Sequence, residues 1–363
     1  SAARSDGSPV LVISGQIALE LEGRGGFQDD SPGTAIDDTA ALAPLVVSSQ
    51  EVLEPHLLGH HLRLALSTML AVPRGPAHLA IATDIQHADV HAPPPPLLEG
   101  RYRPRLIDEN AFAGLEQMLS GNDGPKRIAI LAGAGVEHSE ATGSLITLAE
   151  RYDIPVATTL RAKGVFPEAH PLSLGVFGYA GTRHATEALL DPSLEALVVV
   201  GSGLNQRDTM FWDKKMSDDR LLIHADVDPT VIGHTWPAES GIVADARTLL
   251  DRLGDPECEA AAALASGAAE RRQWLSDVRD TGPLLYDLDH CESDSKPIHP
   301  ARVIADLRAA SPPDTTLVVD SGAHRAFCGH YWTSQSPRQY ISATNIGPMG
   351  WAIPAAIGAK LAR

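Results

Sequence analysis

The chain has 363 residues, 44% of them hydrophobic, enough to build the cores of two or three domains. Its 46 Asp and Glu outnumber its 29 Lys and Arg, and the formal charge of -17 argues against a nucleic-acid backbone or an anionic membrane as partner. Three widely spaced cysteines, Cys258, Cys291 and Cys328, make neither a disulfide framework nor a CxxC metal site and suit a reducing cytosol.

The opening residues carry no signal pattern and no initiator Met, so Ser1 need not be a native start, and no apolar run is as long as a membrane span. In chain order, the β-branched run at 10–13, closed by Gly15, predicts a buried strand. Apolar residues at helical spacing over 50–70, with Ser48 or Ser49 as caps, predict a helix. The breaker PRGP at 73–76 precedes a second strand at 78–82. Four consecutive prolines at 93–96 form a stiff, extended connector, and the first domain boundary is placed there.

From 127 onward strands and helices alternate. Strands are predicted at 127–132, 156–159, 196–200 and 221–225, and helices at 139–151, 184–190 and 246–253. Such alternation means parallel strands joined by crossover helices, hence a doubly wound sheet. The Ala- and Glu-rich run at 257–267 reads as helix plus linker, and the acidic stretch at 287–294 as a second boundary. A further unit follows, with a helix at 300–308, a strand at 316–319 and a helix at 323–332.

Candidate chemistry gathers at strand ends. Gly133 and Gly135, in GAGV, follow a predicted strand and allow close approach to a phosphate or ribose. The third glycine of GxGxxG is missing, so a turn with no ligand explains them equally well. GSGLNQRD at 201–208 repeats the arrangement and offers Arg207 to a phosphate. Asp226 and Asp228 tip the next strand, where they either accept from ribose hydroxyls or cap the turn before Pro229. Downstream, DSGAH at 320–324 leads into a helix, and GPMGWAIPAAIGAK fills 347–360. Met349 stands between two glycines that free it to press on a ligand, although a core methionine at a helix start is the plainer reading of it alone. His324 reads either as a ligand or as a solvated, capping histidine. His56, His60 and His61 have no third metal ligand, so they read as a solvated helix face. Ser14 lacks a GxSxG frame.

The run at 347–360 resembles the GxMGxxxPAAIGA signature of thiamine-diphosphate-dependent enzymes similar to acetolactate synthase, and DSGAH resembles the D-x-G-x-H segment of the same domain. GAGV at 133–136, PVATT at 155–159, KGVFPEAHPLSLGVFG at 163–178 and the aspartates at 226 and 228 resemble that family's central domain. SPVLVISGQ at 8–16, FQ at 27–28 and GP at 75–76 resemble its pyrimidine-binding domain. The likeness runs in family order over nearly the whole chain. It implies an α/β protein in a three-domain arrangement, parallel sheets flanked by helices, with the first and last domains incomplete. Residues 1–96 would be the C-terminal part of the pyrimidine-binding domain and 97–256 the central doubly wound domain. Residues 257–296 would be a linker, and 297–363 the N-terminal part of the diphosphate-binding domain.

By position, the resemblance makes Met349 the wedge that bends thiamine diphosphate into a V, a geometry that sets its reactivity. The Gly347 carbonyl and the Met349 amide would meet the pyrimidine ring, Gly322 and His324 would lie near the diphosphate, and Gln28 would face the substrate channel. Gly133, Gly135, Lys163, Arg207, Asp226 and Asp228 become the candidates for an FAD or other nucleotide site. The implied activity is decarboxylation or carboligation of a 2-oxo acid by a lyase or transferase of branched-chain amino acid biosynthesis. It would use Mg2+ and work in a cytoplasmic homodimer or homotetramer.

The family's proton-relay glutamate precedes the segment matched at 8–16, and its GDG-to-Asn magnesium motif lies beyond the segment matched at 347–360. No metal ligand is therefore assigned, and the chain as given is expected to be an inactive, trimmed copy. Ala323 in place of Gln, no evident lysine over 37–45 and GLNQR at 203–207 depart from acetolactate synthases and leave the choice of 2-oxo acid open. The alternative, from a different class, is a non-catalytic nucleotide- or NAD-binding α/β module. The segment 347–360 discriminates, because such a module has no use for it.

Overall fold

The computed structural model describes residues 1–31, 37–90, 105–121 and 124–362. They fall into two compact units, Ser1–Pro104 and Arg105–Arg363. The proline run at 93–96, where the first boundary is expected, lies outside the described residues.

In the first unit β1 (Leu11–Gln16), β2 (Ser48–Val52) and β3 (Ala77–Ala82) form a parallel sheet in the order β1-β3-β2. The helix Leu58–Leu70 sets Ala65 and Met69 against Ala77 and Leu79 of the central strand. The single helix expected over 50–70 is thus a strand and then a helix. Residues 48–52 find a ladder on β3, a non-local gain that helical spacing does not reveal, and Pro55 separates the two elements. At the centre of the sheet His78 is fully buried, with the Ser14 and Ser49 hydroxyls each 2.8 Å from one ring nitrogen. Asp38 accepts from Ser14 at 2.5 Å and from Gln16 at 2.8 Å, so both His78 ring nitrogens and both Asp38 oxygens are engaged within the cluster.

The second unit is built on six parallel strands: β4 (Ile128–Ala132), β5 (Val156–Thr159), β6 (Ser173–Phe177), β7 (Ala196–Val200), β8 (Leu221–Asp226) and β9 (Ser240–Val243), in the order β6-β5-β4-β7-β8-β9. Every residue of β4 to β7 is buried, as a parallel sheet covered on both faces requires. Phe112 and Leu115 from the helix Glu109–Ser120, Leu145 and Leu148 from Thr142–Tyr152, and Leu249 and Leu250 from Ala246–Leu253 complete the core. The strand order reverses between β4 and β7, which makes their carboxyl ends the topological switch point. Sequence periodicity does not announce β6 and β9, because β6 mixes Ser173 and Gly175 into its run and β9 has four residues.

The stretch 257–296, expected as a linker, carries the helices Ala261–Ser266 and Ala268–Asp280, which pack on this core through Leu264, Trp274, Leu275 and Val278. The fully buried Arg271 donates to the carbonyls of Tyr152 at 2.6 Å, of Lys126 at 2.8 Å and of Leu264. Tyr152 ends its helix, where the backbone dipole favours a cation. Burial brings the Arg271 pKa down to about 10. Beyond the helix Pro300–Ala310, the parallel pair β10 (Leu317–Val319) and β11 (Tyr340–Ser342) and the helix His324–Tyr331 share a smaller core with Leu160, which follows β5, and Val176 of β6. The helix Ala352–Leu361 follows.

Candidate functional site

Two places in the second unit collect the sequence candidates. The first lies where β10 and β11 end. Val319 pairs with Ser342, so the segments leaving these strands, DSGAH and GPMG, set out side by side. Asp320 ties them together. One carboxylate oxygen accepts from the Ser321 N–H at 2.7 Å, and the other accepts from the N–H groups of Gly350 at 2.9 Å and Ala352 at 3.2 Å. The Ser321 and Ala352 N–H groups, opposed by slight desolvation and aided by Gly350, hold its carboxyl below the ordinary value.

Gly347 and Gly350 both have left-handed backbones, with φ of 61° and 83°. A Cβ on Gly347 would stand 2.9 Å from Ser321 Oγ and 3.3 Å from the Arg325 guanidinium, so only glycine fits there without a shift. The turn between them presents Met349 with 87% of its surface exposed. Met349 is not a core side chain in this structure. His324 is also exposed, its ring lying over Gly322 with Cε1 2.7 Å from where a Cβ would stand. Gly322, His324, Gly347 and Met349 are thus brought to one end of the small sheet. Arg325, 4% exposed, donates to Ser321 Oγ at 2.9 Å and makes no ion pair among the described residues. Gln28 belongs to the first unit, where it is exposed with a φ of 63°.

The second place is the switch point. The Gly135 N–H donates to the Gly201 carbonyl at 2.9 Å, and a Cβ on Gly135 would come within 2.6 Å of Gly201 Cα. Gly133 and Gly135 therefore already serve a close approach between two backbones. Asp226 accepts from the Asp228 N–H at 2.9 Å, and Asp228 accepts from the Thr230 N–H at 2.9 Å and from its hydroxyl at 2.7 Å. These bonds hold the turn around Pro229. Burial raises the Asp226 pKa, and it pushes Asp208 up to about 6 against the pull of Arg161. The Arg207 guanidinium lies over the Tyr179 ring, 4.1 Å from its centroid. Lys163 stands apart from these: it is 2% exposed and ion-paired with Glu168, which also accepts from the Ser334 N–H at 2.6 Å.

Sequence reasoning missed several of these roles. Asp320 was visible as part of DSGAH, but its partners lie 30 and 32 residues away. His224, buried in β8, shares a 2.8 Å hydrogen bond with the Ser202 carbonyl and accepts from the Gly233 N–H at 3.3 Å, bracing two loops. A polar residue inside an apolar strand was the available signal. Among the described residues no group of three or more His, Cys, Asp or Glu is placed to hold a metal, and no helix is long and apolar enough to cross a membrane.

Comparison with known proteins bears on both the doubly wound sheet and the segment with the glycine-flanked methionine. Residues 123–253 match the family described as thiamine pyrophosphate enzyme, central domain, and residues 320–363 match thiamine pyrophosphate enzyme, C-terminal TPP binding domain. Over these two segments the chain is similar to thiamine pyrophosphate enzymes. It is 30% identical over 372 residues to the probable acetolactate synthase large subunit of Methanocaldococcus jannaschii, covering 99% of this chain and 60% of that protein. It is 31% identical over 359 residues to the acetolactate synthase large subunit of Corynebacterium glutamicum, covering 99% of this chain and 55% of that one. It is 28% identical over 365 residues to the putative thiamine pyrophosphate-containing protein YdaP of Bacillus subtilis, covering 99% and 58%. The chain spans 55% to 60% of the length of the curated relatives it matches.

Proposed function

We propose that this chain is the cofactor-gripping part of a thiamine-diphosphate-dependent enzyme that decarboxylates a 2-oxo acid and joins the remaining acyl unit to an acceptor, in the manner of an acetolactate synthase. The observation that carries the reading is Met349, 87% exposed on a turn whose two glycines have positive φ, beside Gly322 and His324. A bulky apolar side chain held out of the core and flanked by backbone groups free of Cβ atoms suits the concave face of a folded ligand. The residues present fit the cofactor. Gly347 and Met349 would take its ring end and Gly322 and His324 its diphosphate end.

When bound, thiamine diphosphate would supply the nucleophilic carbon and the electron sink that decarboxylation of a 2-oxo acid needs. The chain's own contribution would be orientation: the Met349 side chain would press on the cofactor, and the Gly347 carbonyl and the Met349 N–H would hold its aminopyrimidine ring. Gln28 is proposed to serve the substrate side. Mg2+ is proposed to accompany the diphosphate, with no ligand to it assigned among the described residues.

FAD is the candidate for the switch-point edge, where Arg207 and Asp226 would be its polar contacts; the absorbance of the purified protein tests it. A cytoplasmic homodimer or homotetramer is the proposed assembly, read by light scattering and fractionation. For the main reading the test is calorimetry on the full-length protein with thiamine diphosphate and Mg2+. Saturable binding that Met349→Ala weakens is expected. No binding by the wild-type protein would overturn the reading.

A further inference from the structure

We infer that Asp320 is a positioning residue: it holds the 347–350 turn in ligand-ready shape before any ligand arrives. This rests on the thiamine-diphosphate reading above. The turn needs such a device because its two glycines, at φ of 61° and 83°, have many other conformations open to them. The helix that follows has no side-chain cap of its own at Trp351. Its first N–H groups would stand unpaired, and they form the positive end of the helix dipole.

Asp320 supplies the missing cap from the end of β10, with Gly350 and Ala352 both donating to one carboxylate oxygen at 2.9 and 3.2 Å. Its other oxygen accepts from Ser321 at 2.7 Å. Both oxygens are thus engaged within the protein. Arg325 packs beside Gly347, its guanidinium 3.3 Å from where a Cβ on Gly347 would stand.

On the proposed reading the turn that Asp320 holds meets the ring end of the ligand, through the Gly347 carbonyl and Met349, whereas the diphosphate end lies with Gly322 and His324. Asp320 should govern affinity for the ring end and leave affinity for a free diphosphate almost unchanged.

The test uses the full-length protein and its Asp320→Ala and Asp320→Asn variants, with two readouts. The first is amide hydrogen exchange at Gly350 and Ala352 without cofactor. The second is the Kd, with Mg2+ present, of thiamine diphosphate, thiamine and inorganic diphosphate. In Asp320→Ala we expect protection at both amides to be lost. Thiamine diphosphate and thiamine should bind about tenfold to a hundredfold more weakly, and inorganic diphosphate within about twofold of wild type. Asp320→Asn, which keeps one acceptor oxygen and the packing, should fall between, and it decides the matter if the alanine variant does not fold. Retained protection at Gly350 and Ala352, or equal weakening of all three ligands, overturns the inference. A wild-type protein that does not bind thiamine diphosphate sinks the functional reading instead, and the exchange data then judge the turn brace by itself.

Discussion

Replacing Lys163 with Met leaves a carboxylate buried without its cation. The Lys163 and Glu168 side chains are 1% and 5% exposed, and the one ion pair holds both. Glu168 would keep a single protein donor, the Ser334 N–H at 2.6 Å. Removing one partner of a buried pair costs about 3–5 kcal/mol, because the remaining charge stays desolvated without compensation. In a unit of this size that corresponds to a fall in Tm of roughly 10 °C.

The double variant Lys163→Met/Glu168→Gln removes both charges and keeps an acceptor for Ser334, so it should recover to within about 1–2 kcal/mol of wild type. Urea unfolding of wild type, both single variants and the double variant gives the coupling energy, expected to exceed about 2 kcal/mol. The same variants bear on the nucleotide role considered for Lys163. A lysine that binds a phosphate would lose ligand affinity when replaced, with little loss of stability. A Lys163→Met cost below about 1 kcal/mol, or additive single variants, would refute the reasoning from burial.

Gly135→Ala should destabilise by about 1–3 kcal/mol, because the new methyl meets the Gly201 backbone at 2.6 Å, where no flexible side chain can yield; thermal unfolding checks it. Trp274→Phe keeps the packing but loses the 2.7 Å bond from the indole N–H to Asp191, and chemical denaturation should show a loss of about 1–2 kcal/mol. Burial and the neighbouring Glu22 push the Glu51 carboxyl up to about 7 from 4.5. Its native form then holds a proton that the unfolded chain releases, so the first unit should gain stability as pH falls from 8 to 5 and lose it as pH rises through 7. Partial exposure should keep this to the order of 1 kcal/mol, and Glu51→Gln should abolish the slope in pH-dependent urea unfolding.

The β4, β7 and β8 strands were legible because buried parallel strands are short apolar runs, here ended by Gly133, Gly201 and Asp226. The strand Ser48–Val52 was not, since its Ser-Ser-Gln-Glu composition gains a place in the sheet only through pairing with β3. The stretch 257–296 looked like a linker because its Ala, Glu and Asp content hides Trp274 and Arg271, which carry its attachment to the core. Met349 was legible as a candidate, but both a core and a ligand role suited it. Its 87% exposure shows that it lies outside the core.

Composition and local order by themselves determined the acidic, α/β character of this protein, the doubly wound middle section and the glycine-flanked methionine near its end. They did so because strand runs, breakers and signature spacings are properties of neighbours in the chain. Only the tertiary structure decided who pairs with whom: Lys163 with Glu168, Glu168 with Ser334 across 166 residues, and Asp320 with Gly350 across 30. Such partnerships depend on strand register and on the paths of the connecting loops. A carboxylate's need for a donor is written in its chemistry, but folding selects the donor.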